Sequence, residues 1–144
     1  MENRIIDFHT HIFPEKVAYK AVRATGDYYG IEMSRAGTIE NLLSDGKSIG
    51  VSRYLVCSTA TRPEQVAAVN GFIRAACDAH KEFFGFGTLH PELENLEEEI
   101  SRICSLGLLG VKLHSDFQDF RLDEPKAMKM YEALEGRLPV LFHM

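Results

Sequence analysis

Ile5-Ile6-Asp7-Phe8-His9-Thr10-His11-Ile12-Phe13-Pro14 is the stretch on which the reading of this chain turns. An apolar run ends in two histidines one residue apart, and a proline closes it. Alternate residues of a strand share a face, and a rise of about 3.3 Å per residue puts the two histidine Cα atoms roughly 6.6 Å apart. Imidazoles leaning together over that gap can share one cation at about 2.0–2.1 Å per bond. His9 and His11 are therefore candidate metal ligands. Asp7 falls on the same face, one step deeper. A buried carboxylate is costly unless paired, so Asp7 is expected to support the histidines from behind. In a different strand register it would face solvent instead.

Working outward, apolar and β-branched runs recur at 51–58, 83–89, 110–113 and 138–142, after a first strand at 4–8. Segments of helical period separate them. Ile39, Leu42, Leu43 and Ile49 mark one helix, with Thr38 as N-cap. Val66, Val69, Ile73, Ala76 and Cys77 mark a second, entered through Pro63. Leu93, Leu96, Ile100, Ile103 and Cys104 follow Pro91 and stop at Gly107, while Met130, Tyr131 and Leu134 lie between Pro125 and Gly136. Short apolar strands alternating with amphipathic helices predict βαβ units and a parallel α/β sheet. The stretch 12–37 is too long for an ordinary connection and is expected to form an elaborated loop with a short helix at 14–24. No linker or repeat interrupts the pattern, so residues 1–144 are expected to belong to one domain.

Composition narrows the function classes. The 144 residues are 45% hydrophobic and 26% charged, with a formal net charge of −5. That balance suits a globular domain and argues against nucleic acid, because no basic stripe exists to displace counterions from phosphates. No apolar run approaches the roughly 20 residues that span a bilayer, and residues 1–4 do not resemble a signal peptide. Cys57, Cys77 and Cys104 are odd in number and widely spaced. They are expected to be three buried thiols in a reducing, cytoplasmic setting. The run Glu97-Glu98-Glu99 is expected to be solvated charge on an outer helix face.

Five of the six histidines end strands: His9, His11, His90, His114 and His143, with His80 the exception. Carboxyl ends of parallel strands are where α/β sites are built. His143 is accordingly a candidate third metal ligand. Lys112 and His114 alternate on one strand and share a face. Lys112 has three readings, namely a carbamylated bridge to a second metal, a cationic anchor for an anionic substrate, or a solvated lysine, and the anchor is preferred. His114 is a candidate for substrate contact or acid–base work, or a hydrogen-bonded rim residue. His90 either lines the pocket or caps its strand. Segment 115–123, with Phe117, Gln118, Phe120 and Arg121, suits a substrate lid or a packed surface loop. No phosphate-binding glycine loop and no Gly-x-Ser-x-Gly elbow is present.

At Ile5-Ile6-Asp7-Phe8-His9-Thr10-His11-Ile12-Phe13-Pro14 the chain resembles the amidohydrolase superfamily, nearest the branch that includes aminocarboxymuconate-semialdehyde decarboxylase-like enzymes. The likeness continues through Gly85-Phe86-Gly87-Thr88-Leu89-His90-Pro91, Gly110-Val111-Lys112-Leu113-His114 and Leu138-Pro139-Val140-Leu141-Phe142-His143. The resemblance implies a (β/α)8 TIM barrel of which about the first five parallel strands and four helices are present. It implies one divalent ion on His9, His11 and His143, with Zn²⁺ first and Mn²⁺, Fe²⁺ or Ni²⁺ as alternatives. The family's strand-6 histidine, and its strand-8 aspartate that orients or deprotonates the metal-bound water, have no counterpart in these residues. The implied activity is metal-dependent hydrolysis of a small ester, lactone or amide. Alternatives are non-oxidative decarboxylation of an aromatic or unsaturated acid, with Lys112 and Arg121 as carboxylate anchors, or a catalytically silent fragment. Expected partners are a small-molecule substrate and either a second copy or the absent half of the barrel.

Overall fold

The computed structural model describes residues 5–143, so position 4, where the sequence starts the first strand, lies outside the described residues. The chain divides into two compact units, Met1–Val56 and Cys57–Met144.

The first unit runs β1 (Ile5–His11), α1 (Glu15–Tyr29), α2 (Ile39–Ser48) and β2 (Val51–Cys57), whose last residue opens the second unit. β1 lies beside β2. Ser52 Oγ donates to Ile5 O at 3.1 Å and Thr10 Oγ1 to Leu55 O at 2.7 Å. Both contacts advance in one direction along the two strands, the sense of a parallel pair. Helix α2 starts as its sequence demands, with Asn41 N donating to Thr38 Oγ1 at 3.2 Å. It reaches β2 through Gly46, where any Cβ would collide with the Tyr54 ring. Helix α1 is the main departure from expectation. It continues past residue 24 through Tyr28 and Tyr29, and Gly30 ends it in the left-handed conformation at φ 66°. The apolar positions do not mark that last turn, so the sequence read it as loop.

The second unit carries a 3₁₀ turn at Pro63–Gln65, α3 (Val66–Ala79), β3 (Phe83–Gly85), β4 (Gly87–Thr88), α4 (Leu96–Ser105), β5 (Val111–His114), α5 (Pro125–Leu134) and β6 (Val140–His143). β4, β5 and β6 are parallel and adjacent in sequence order. The strand expected at 83–89 is broken at Phe86 into β3 and β4. Asn70 of α3 acts as a surrogate strand for Thr88, accepting its N–H at 2.6 Å and donating to its carbonyl at 3.0 Å.

Glu99 corrects the sequence reading of the acidic run. It is buried, accepts from Asn70 Nδ2 at 2.7 Å, and takes both Arg102 Nε at 2.9 Å and Arg102 NH2 at 2.7 Å. Its helix position meets Asn70, so Glu99 closes a polar network that a buried carboxylate requires. The cysteines also divide: Cys57 is buried, Cys77 half-buried and Cys104 exposed. An exposed Cys104 is a second correction, because the helical stripe that includes Ile100 and Ile103 stops short of it. Ile100, Ile103, Val111, Leu113, Ala127 and Met130 make a closed core between helices and sheet in this unit.

Candidate metal centre

β1 carries its two histidines out at the strand end. His9 Nε2 and His11 Nε2 face each other at 3.1 Å, with ring centroids 5.1 Å apart. Two imidazole nitrogens on one tetrahedral ion with bonds of about 2.05 Å are about 3.3 Å apart, so the donor pair fits a shared divalent cation. His9 is exposed and His11 partly so, which leaves room for further ligands. Asp7 is half-buried, and its Oδ1 accepts from the His9 backbone N–H at 3.4 Å. The bond holds the strand rather than a histidine ring.

In the second unit the parallel register sets Thr88 opposite Lys112, Lys112 opposite Leu141, and His114 opposite His143. Paired residues of a parallel sheet share a face, so Lys112, His114 and His143 lie on one side of it. His114 and His143 stack at 4.2 Å with their planes 8° apart, and Phe117 stacks on His114 at 4.0 Å and 7°. Burial above all, then the neighbouring His143 and Lys112, push the His114 pKa down to about 4, against a smaller upward pull from Asp116. The ring is therefore neutral near pH 7.

Lys112 is fully buried. Its Nζ donates to Leu113 O at 3.1 Å, and among the described residues no carboxylate pairs with it. Burial lowers its pKa, with the Cys57 thiol pulling the other way. The Cys57 thiol is itself pushed up to about 12 by burial, more than Lys112 offsets.

The remaining candidates lie elsewhere in the second unit. His90 turns to its own loop: its Nδ1 accepts from Glu92 N at 3.3 Å and its ring also bonds the Thr61 backbone. Burial lowers its pKa most, with opposing contributions from Glu92 and Lys126. Arg121 is exposed and pairs with Asp123, through contacts of 3.1 Å from Nε and NH2. In segment 115–123, Phe120 is core and Gln118 is buried, so half of the expected lid is tied down. The sequence leaves Gln118 between a lid and a packed loop, and its burial favours the packed loop. Its amide donates to Ala60 O at 2.9 Å and Leu89 O at 2.6 Å, and accepts from His114 N at 2.9 Å. Only the spacing His114-x-x-Phe117-Gln118 hints at this joint, and spacing alone does not reveal three distant partners.

No family model matches the chain, and no curated protein matches it significantly. Solved structures do. A probable 2-pyrone-4,6-dicarboxylic acid hydrolase from Acinetobacter baumannii with citric acid bound aligns over 96% of this chain and 49% of its own, with TM-score 0.61 and 16% identity. An amidohydrolase, described as putative, from Staphylococcus aureus covers 97% and 47%, with TM-score 0.69 and 18% identity. A 2,6-dihydroxybenzoate decarboxylase complexed with 2,6-dihydroxybenzoate covers 97% and 49%, with TM-score 0.64 and 17% identity. These are amidohydrolase-superfamily enzymes built on TIM barrels, and the chain is similar to them in fold. It spans about half the length of each.

Proposed function

We propose that the chain is the first half of a TIM barrel in a metal-dependent hydrolase of the amidohydrolase kind. The observation that carries this reading is the His9–His11 nitrogen pair, 3.1 Å apart at the end of β1, in a fold similar to those enzymes. His9 and His11 would hold a divalent ion, Zn²⁺ first, and the resemblance adds His143 as a further ligand. Such an ion, when bound, lowers the pKa of a water and polarises a carbonyl. Asp7 fixes the backbone on which the two ligands stand. Lys112, a buried amine with no carboxylate partner among the described residues, would bind the negative end of a substrate. Three cysteines, odd in number and widely spaced, fit a reducing cytoplasm.

Lys112 also favours a second reading. An anchored carboxylate is what non-oxidative decarboxylation needs, and one structure of similar fold is a dihydroxybenzoate decarboxylase. Substrate positioning and a general base supplied by the rest of a barrel would be required for full rate. General acid–base catalysis contributes typically about 10²–10⁴-fold, so residues 1–144 alone are expected to be nearly silent. The test is a panel of esters, lactones and amides beside hydroxybenzoate-type acids, assayed with and without added Zn²⁺ on a chain extended to full barrel length. Zinc-dependent hydrolysis is expected. Carbon dioxide release without hydrolysis would replace the first reading by the second.

A further inference from the structure

We propose that His114 is a positioning residue, which with Phe117 fixes the plane in which His143 presents its imidazole. The role rests on the reading of His143 as a metal ligand. Three rings lie parallel in one stack, Phe117 on His114 at 4.0 Å and His114 on His143 at 4.2 Å. The strand register places the two histidines directly opposite each other, so the stack is set by the sheet itself.

The middle ring is held from its own loop. His114 Nδ1 accepts from Phe117 N at 3.4 Å, which ties the ring to its own loop. Gln118 N donates back to His114 O at 3.0 Å, and the Gln118 side chain takes His114 N–H at 2.9 Å. The same side chain grips Ala60 O and Leu89 O. One buried amide therefore joins the loop to three segments of the unit. His114 cannot rotate without losing the Phe117 bond and both ring contacts.

His143, by contrast, ends the last described strand and is only half-buried. A histidine side chain has two rotatable bonds, and an ion needs its nitrogen aimed within a narrow cone. A flat, immobile ring against one face removes most of that freedom before the ion arrives. Groups that orient a ligand from outside the coordination sphere are typically worth about 10–100-fold in metal affinity. His114 is thus asked for its shape and its fixed plane, with no proton transfer and no bond to the ion.

The experiment compares His114→Phe, His114→Leu and His114→Ala in the 144-residue chain. Zinc affinity is measured by competition with a chromophoric chelator, and the Co²⁺-substituted protein supplies a visible spectrum that reports ligand geometry. Phenylalanine keeps a flat ring and is expected to hold zinc within about threefold of wild type with an unchanged cobalt spectrum. Leucine fills the space without a flat face and alanine empties it; both should lose about 10–100-fold and shift the cobalt bands. Leucine keeps the test alive if alanine does not fold. Equal damage from phenylalanine and leucine would overturn the proposal, because the imidazole chemistry would then matter and not the stack. Zinc binding indifferent to all three variants would overturn it too, while leaving the metal reading intact. A wild-type chain that binds no ion refutes the metal reading and this role with it.

Discussion

β1 and β5 are both apolar strands ending in histidine, yet they live differently. In β1, Ile6 and Phe8 are 54% and 59% exposed; in β5, Val111 and Leu113 are wholly buried. β5 has a parallel neighbour on each side and helices whose apolar stripes close over it. Within its own unit β1 has β2 alone beside it. Alternation of apolar and polar residues therefore specifies that a strand forms, but burial depends on what its neighbours supply. Exposed apolar strand surface is also where association begins.

Leu113→Ala should cost about 2–5 kcal/mol in urea unfolding, since it opens a cavity in a closed core. Ile6→Ala should change stability by no more than about 0.5 kcal/mol. Comparable losses at both positions would mean that β1 is covered in solution, and the contrast would fail. Asn70→Ala sharpens the picture of the second unit. It strips two strand-like bonds from Thr88 and one from buried Glu99, so a loss of about 2–3 kcal/mol is expected in the same assay. A near-neutral result would show that water replaces the amide and that the network is open.

The smallest effect concerns pH. Burial lowers the His90 pKa below its ordinary 6.5, against raising contributions from Glu92, Glu64 and the Thr61 backbone and a lowering one from Lys126. Below pH 6.5 the unfolded chain takes up this proton more readily, so stability falls as pH drops from 6.5 toward the folded value. Nothing from His90 is lost above that range. His90→Gln should flatten the decline of Tm between pH 7 and 5, and an unchanged slope would assign the decline to other groups.

How much of this was legible in the sequence follows the range of the forces involved. Thr38, Pro63, Pro125 and Gly107 act on their own turns, and the structure uses each where the sequence put it: a cap, two first turns, and a left-handed exit at φ 70°. The His9–His11 pairing was equally local, since alternation alone brings the two rings together. Glu99, Gln118 and Phe86 were misread or left open because their roles depend on partners far along the chain. Glu99 meets Asn70, Gln118 meets Ala60 and Leu89, and Phe86 interrupts a strand whose edge Asn70 completes. A charged residue on a helix looks solvated until the opposing side chain is known.

The central claim is that β1 ends in a metal-binding pair, and metal content tests it most directly. Protein prepared without a histidine tag, equilibrated with zinc and freed of excess, is analysed for zinc per chain beside His9→Ala. About one ion per chain is expected for the wild type, with most of it lost in the variant. As much zinc on His9→Ala as on the wild type would contradict the assignment.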